Sequence, residues 1–192
     1  LRDYLQRPDI DAVLAVRGGY GSAETLPFLD AKSIRPHRTA LIGYSDVTSL
    51  HTFLTCHAGL VSVHGPMIEG RLAAGPSAYD RASLAASLSC SPVGCLAPDG
   101  LEIVKSGEAS GPLFGGTLTQ LCASFGTPFK FNPPLGSILL LDEVGERPYR
   151  IRRMLNQMAQ VGVLARAAGI VVGQLPRCDE PGGTVTEIGR AH

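Results

Sequence analysis

Three times in the first third of the chain a short apolar run ends in a tight turn, and twice that turn opens into a helix. Residues 12–16 read Ala-Val-Leu-Ala-Val and stop at Arg17-Gly18-Gly19-Tyr20-Gly21-Ser22. Residues 39–43 read Thr-Ala-Leu-Ile-Gly and stop at Tyr44-Ser45-Asp46. Residues 60–64 close at Gly65-Pro66. Short continuous apolar runs are the mark of parallel strands buried on both faces. Residues 23–29, with Ser22 as N-cap, and residues 47–58, closed by Gly59, supply the intervening helices. Strand, tight turn, helix, strand is the pattern of an open parallel α/β sheet with flanking helices, of the Rossmann or flavodoxin kind.

The second half follows the same pattern. It opens with Gly111-Pro112-Leu113-Phe114-Gly115-Gly116, and residues 117–125 read as a helix. Residues 137–141, Ser-Ile-Leu-Leu-Leu, are the strongest strand in the chain and end in Asp142-Glu143. An amphipathic helix is expected over 149–160, ending near Gly162, and a buried strand over 168–173. Residues 71–89 read as one or two short helices. Residues 90–107 mix Pro, Gly and Ser around a weak strand at 101–104. The expected organisation is an N-terminal α/β domain over 1–89, a linker over 90–107 and a smaller C-terminal α/β domain over 108–192.

Composition narrows the function. Of 192 residues, 44% are hydrophobic and 18% charged, which allows a packed core and excludes a disordered chain. Seventeen Lys+Arg balance 17 Asp+Glu. That neutrality argues against nucleic acid as a partner and offers no polybasic face to an anionic membrane. No apolar run reaches the roughly 18 residues of a membrane span. The five cysteines, Cys56, Cys90, Cys95, Cys122 and Cys178, fit no zinc spacing and read as free thiols in a reducing cytoplasm, with a local bridge between Cys90 and Cys95 in their Ser/Pro/Gly loop as the alternative.

Three clusters carry chemistry. Ser45 sits on the sharp turn between a buried strand and a helix, the geometry of a nucleophile elbow. There the helix N-terminus and the Asp46 backbone N–H favour a developing oxyanion. The competing reading is that Ser45 or Asp46 only caps the helix. The Arg17–Gly21 turn lets backbone N–H groups approach a ligand, or is a turn that needs positive φ. Ligands collect at the carboxyl ends of parallel strands, where this turn and Ser45 both lie. Asp142 and Glu143 end the strongest strand, and alternation points only one of them into a given cleft. One of them orients a histidine, or pairs with Arg147, Arg150 or Arg153. Of His37, His51, His57, His64 and His192, His64 is the best placed near Ser45, yet none reads as a clear general base.

Taken in order, Arg17-Gly18-Gly19-Tyr20-Gly21, Gly43-Tyr44-Ser45-Asp46, His64-Gly65-Pro66-Met67, Gly115-Gly116, Gly126-Thr127-Pro128 and Glu146-Arg147-Pro148-Tyr149-Arg150-Ile151 resemble the LD-carboxypeptidase family of serine peptidases. The family comprises the murein tetrapeptide carboxypeptidases, with the microcin-immunity peptidases as cousins. The resemblance implies a two-domain α/β enzyme with a Ser–Glu–His triad. Ser45 falls on its nucleophile, and the N–H groups of Gly19 and Asp46 fall on its oxyanion hole. The family's glutamate position is Asp142 here, one methylene shorter, with Glu143 as the alternative through a change of register. Gly115-Gly116-Thr117 and Arg150-Ile151-Arg152-Arg153 also depart from the usual Gly-Gly-Asn and Arg-Ile-Asp-Arg.

The family's histidine lies in a Gly-His loop beyond the strand at 168–173. His192 falls too early to match it. On this reading the chain is an internal fragment without its base and inactive by itself. The resemblance further implies no cofactor or metal, a cytoplasmic murein peptide as substrate, hydrolysis of the bond to a terminal D-alanine, and a homodimer as the candidate assembly. A ligand-binding α/β module without catalysis, using the Arg17–Gly21 turn, and a microcin-type detoxifying peptidase are the alternatives.

Overall fold

The computed structural model describes residues 1–89 and 101–179. The chain divides into two units, Leu1–Leu101 and Glu102–His192. Among the described residues each unit is built on a three-stranded, wholly parallel sheet.

In the first unit α1 (Arg2–Leu5) precedes β1 (Ala12–Leu14). Next come α2 (Ser22–Thr25), a 3-10 turn at Leu26–Phe28, and α3 (Ala31–Ile34). β2 (Ala40–Gly43) leads through a 3-10 turn at Ser45–Val47 into α4 (Thr48–Thr52). That helix continues as a wider, π-type stretch over Phe53–Ala58 and stops at Gly59. β3 (Val63–His64), helical turns at Ile68–Leu72 and Pro76–Ala78, and α5 (Arg81–Leu88) follow among the described residues. The strands lie in the order β1-β2-β3, with Leu14 opposite Ile42 and Gly43 opposite His64.

The core forms where β2 meets the helix behind it. Leu41 and Ile42 are buried with Val47, Leu50, Phe53, Leu54 and Ala58. The helix residues recur at the three- and four-residue spacing of one helical face. Full burial of each large aliphatic side chain contributes roughly 1.5–3 kcal/mol. The Arg35 guanidinium donates to the Ala58 carbonyl at 2.8 Å, placing a cation on the negative end of this helix.

The second unit places β4 (Leu113–Thr117), α6 (Leu118–Ala123), β5 (Ser137–Asp142), α7 (Pro148–Gln160) and β6 (Ala167–Val172) in the strand order β4-β5-β6. β5 alternates strictly. Ser137, Leu139 and Leu141 are buried, while Ile138, Leu140 and Asp142 are half-buried on the opposite face. Leu118 and Leu121 of α6, Ile151 and Met158 of α7, and Phe131 and Val163 are buried as well.

Several expectations are revised. Ser22 is the first residue of α2 rather than its cap, and its N–H is satisfied by the distant Asp46 carboxylate. Residues 101–104 form no strand and are exposed. The stretch that opens the second half is instead a full strand, β4, hidden in the sequence by its glycines. Gly115 has φ +141°, and a Cβ there would lie 1.8 Å from the Leu140 carbonyl oxygen, so only glycine fits this strand pairing. The Cys90–Cys95 loop and His192 lie outside the described residues. Among the described residues Cys56, Cys122 and Cys178 are in no disulfide.

Candidate active site

The chain leaves β2 through Tyr44 in an extended conformation and turns sharply at Ser45, whose φ is +62°. Among the described residues only Arg38 and Arg177 share a positive φ without being glycine. A serine in this region is strained by order of 1–3 kcal/mol and persists only where its surroundings fix it.

The fixing groups lie on every side of the turn. Upstream, the Gly43 carbonyl accepts from Gly65 N–H at 3.0 Å and from His51 Nε2 at 2.9 Å. Downstream, Asp46 is buried, and its Oδ2 accepts the Ser22 N–H at 3.0 Å, tying the elbow to the start of α2. The glycine-rich turn comes down on the serine itself. A Cβ on Gly18 would sit 3.2 Å from Ser45 Oγ and 3.3 Å from Ser45 Cβ, with the Met67 methyl at 3.7 Å. One on Gly19 would lie 3.9 Å from Asp46 Oδ2. The absence of a side chain at Gly18 thus keeps the space beside the hydroxyl open. Ser45, Asp46, Gly18 and Gly19 form one cluster at the carboxyl ends of β1 and β2, the place where ligands gather on parallel sheets.

His51 reaches this cluster from α4. It is only 4% exposed, and both ring nitrogens are committed. A carbonyl only accepts, so Nε2 carries the proton toward Gly43, and Nδ1 accepts from the Ser62 hydroxyl at 2.9 Å. Burial, reinforced by the nearby His64, outweighs the bond to Gly43 and lowers its pKa to about 4. His51 is therefore a neutral structural imidazole, and no proton-transfer role is open to it. His64 is exposed, stands opposite Gly43 in the sheet, and its ring centroid lies 6.2 Å from that of Tyr44 and 6.1 Å from that of His51. His57 stacks on Phe53.

The state of His51 has a measurable consequence. Above pH 6.5 the ring is neutral whether the chain is folded or unfolded, so its contribution to stability is fully present there. As pH falls from 6.5 toward 4 only the unfolded chain takes up the proton, and stability drops by about 3 kcal/mol. Denaturant unfolding across this range is expected to show that loss in the wild type and a loss smaller by about that amount in His51→Gln. Equal acid sensitivity of the two proteins would contradict the assignment.

In the second unit the two adjacent carboxylates have different surroundings. Glu143 is buried. Its Oε2 accepts the Thr119 N–H at 2.9 Å and the Thr119 hydroxyl at 2.7 Å, and its Oε1 accepts the Val144 N–H at 2.9 Å. A carboxylate here satisfies one of the free N–H groups that open α6, that of Thr119. Burial, together with the Glu143 charge, pushes the Cys122 thiol up to about 11, so this thiol stays protonated and inert. Asp142 faces the other side of β5, opposite Thr117 of β4, where a Cβ on Gly173 would lie 3.4 Å from its own Cβ. Arg150, one of the arginines read as a partner for this acidic pair, binds Glu146 at 2.8 Å. No described helix is long and apolar enough to cross a membrane.

Sequence reasoning did not anticipate the bonds of His51 to Gly43 and Ser62, the reach of Asp46 to Ser22, or the Glu143–Thr119 cap. Only the last left a local signal. Glu143 continues the period-2 series Leu139, Leu141, which faces the core.

Two family models match the chain. Residues 1–65 match the LD-carboxypeptidase N-terminal domain and residues 110–191 its C-terminal domain. A probable murein peptide carboxypeptidase of Bacillus subtilis is 33% identical over 188 residues, covering 93% of this chain and 56% of that protein. The murein tetrapeptide carboxypeptidase of Pseudomonas aeruginosa is 35% identical over 191 residues, covering 93% and 60%. The chain thus spans little more than half the length of these relatives. Among solved structures, the muramoyltetrapeptide carboxypeptidase of Oxalobacter formigenes superposes with a TM-score of 0.78 at 28% identity, over 97% of this chain and 64% of that one. The microcin C7 self-immunity protein MccF, bound to glutamyl sulfamoyl guanosine, superposes with a TM-score of 0.81 over 98% and 65%, at 20% identity, and shares the fold.

Proposed function

The chain belongs to the LD-carboxypeptidase family, and from that membership we propose that the full-length protein is a serine carboxypeptidase removing the terminal D-alanine from murein tetrapeptides. The observation that carries this reading is the strained Ser45 just past the end of β2, with the space beside its hydroxyl left open by the missing side chain of Gly18. Its relatives named for murein peptides, at 33% and 35% identity, favour that substrate class over microcin-type conjugates.

In the proposed reaction Ser45 Oγ attacks the carbonyl of the L-centred residue before the terminal D-alanine. Its proton passes to a general base, the negative charge collects on the carbonyl oxygen, and the D-alanine amine leaves after taking a proton. Water then hydrolyses the acyl-enzyme ester and regenerates Ser45. The N–H groups of Gly19 and Asp46 are the proposed oxyanion donors, each contributing roughly 3 kcal/mol to the transition state. Asp142 is the proposed acid that orients the base. The base is a histidine assigned to no described residue, and the bonds His51 makes leave it out of that role. The site of action is proposed to be the cytoplasm, in peptidoglycan recycling, in keeping with described cysteines that are in no disulfide.

A stereochemical assay tests the reading. The full-length protein is expected to release free D-alanine from an L,D-terminated murein tetrapeptide and nothing from its all-L counterpart. Binding of the peptide without release would replace this reading with that of a ligand-binding module.

A further inference from the structure

The elbow rests on a hydrogen-bond relay that the proposed chemistry does not itself use. Gly43, the last residue of β2, sits two positions before the strained Ser45, and its carbonyl accepts two N–H groups. The Gly65 N–H is the ordinary β2–β3 connection. The second donor, His51 Nε2, comes from one turn into the helix that the elbow opens, and its ring is in turn held by the Ser62 hydroxyl. The helix that follows the serine is thereby tied back to the strand that precedes it.

A buried imidazole spent on a carbonyl that already has its sheet partner is more than packing requires, since a leucine would fill the same volume without polar atoms to satisfy. What the bond adds is a fixed orientation of the Gly43 peptide plane. That plane and the next set the direction in which Ser45 leaves the sheet. The backbone that presents Ser45 is thus anchored on its strand side, while Gly18 leaves the space beside the hydroxyl open.

We propose that His51, held by Ser62, is a positioning residue for the Ser45 nucleophile, fixing the elbow through the Gly43 carbonyl. The inference rests on the serine-peptidase reading above. Misplacing a nucleophile by about 1 Å costs on the order of a hundredfold in rate while leaving remote substrate contacts untouched. The signature is therefore a fall in kcat with little change in KM.

Three variants of the full-length protein separate the possibilities, each assayed for D-alanine release and for unchanged far-UV circular dichroism. His51→Leu removes the donor and keeps the volume. Its kcat is expected to fall about 10- to 100-fold, with KM within about twofold of wild type. His51→Gln keeps an N–H donor at similar reach and is expected to restore kcat to within about fivefold of wild type. Ser45→Ala reports on the underlying reading alone. If Ser45→Ala is inactive while folded His51→Leu turns over like wild type, the positioning role is wrong and the peptidase reading stands. If His51→Leu does not fold, the Gln variant decides. A folded His51→Gln with kcat as low as 1% of wild type would overturn the proposal, because the donor is present and the rate is not. Activity of Ser45→Ala would overturn the reading beneath it.

Discussion

Replacing Ser45 with alanine is expected to abolish D-alanine release, with a loss on the order of a millionfold in turnover, and to leave the fold intact. The size follows from the role. Without the hydroxyl there is no acyl-enzyme, and what survives is the contribution of the binding site and the oxyanion donors. The intact fold follows from the structure. The turn is held through the Gly43 carbonyl and buried Asp46, neither of which depends on the serine oxygen. Alanine in the left-handed region costs of order 1 kcal/mol, too little to unfold a typical domain. Steady-state D-alanine assays with circular dichroism on the same samples check both halves. Near-normal activity in a folded Ser45→Ala protein would refute the serine mechanism.

The second large effect separates two neighbouring carboxylates. Asp142→Asn is expected to lower kcat by about ten-thousandfold, because an amide no longer holds the histidine tautomer a triad needs. Glu143→Gln is expected to act on stability instead. Its three hydrogen bonds come from Thr119 and Val144, and an amide loses the charge at the start of α6 and turns an NH2 group toward one of those donors. That is a cost of about 1–3 kcal/mol, visible as a lowered melting temperature with residual turnover. The reverse pattern, an inactive Glu143→Gln beside a working Asp142→Asn, would move the acid by one residue.

The strands that carry the site were legible where burial leaves a signature in composition. Residues 39–43 and 137–141 became β2 and β5, the central strands, whose covered positions admit little but apolar side chains. Residues 12–16 and 168–173 also became strands, β1 and β6, but at the sheet edges, where Leu14, Ile170, Val171 and Val172 are exposed rather than buried as expected. β4 escaped notice for the opposite reason. Gly115 is demanded by a close approach of backbones, and with Gly116 beside it the apolar run stops after Leu113 and Phe114. Ser45 was legible because strand, turn and helix are local. The ties that hold the turn were not. Asp46 reaches Ser22 across 24 positions, and His51 finds Ser62 across 11. Such partners are set by which strands pair, and the pairing is a property of the sheet. Glu143 lies between these cases: its burial was implied by alternation, whereas its partner Thr119 was not.

The central claim is that this chain carries the nucleophile of a murein tetrapeptide carboxypeptidase. Mass spectrometry of a murein tetrapeptide incubated with the full-length protein tests it most directly. The account predicts a single product lighter by one alanine residue, formed in step with free D-alanine. An unchanged peptide under conditions where it binds, or cleavage at any other bond, would contradict it.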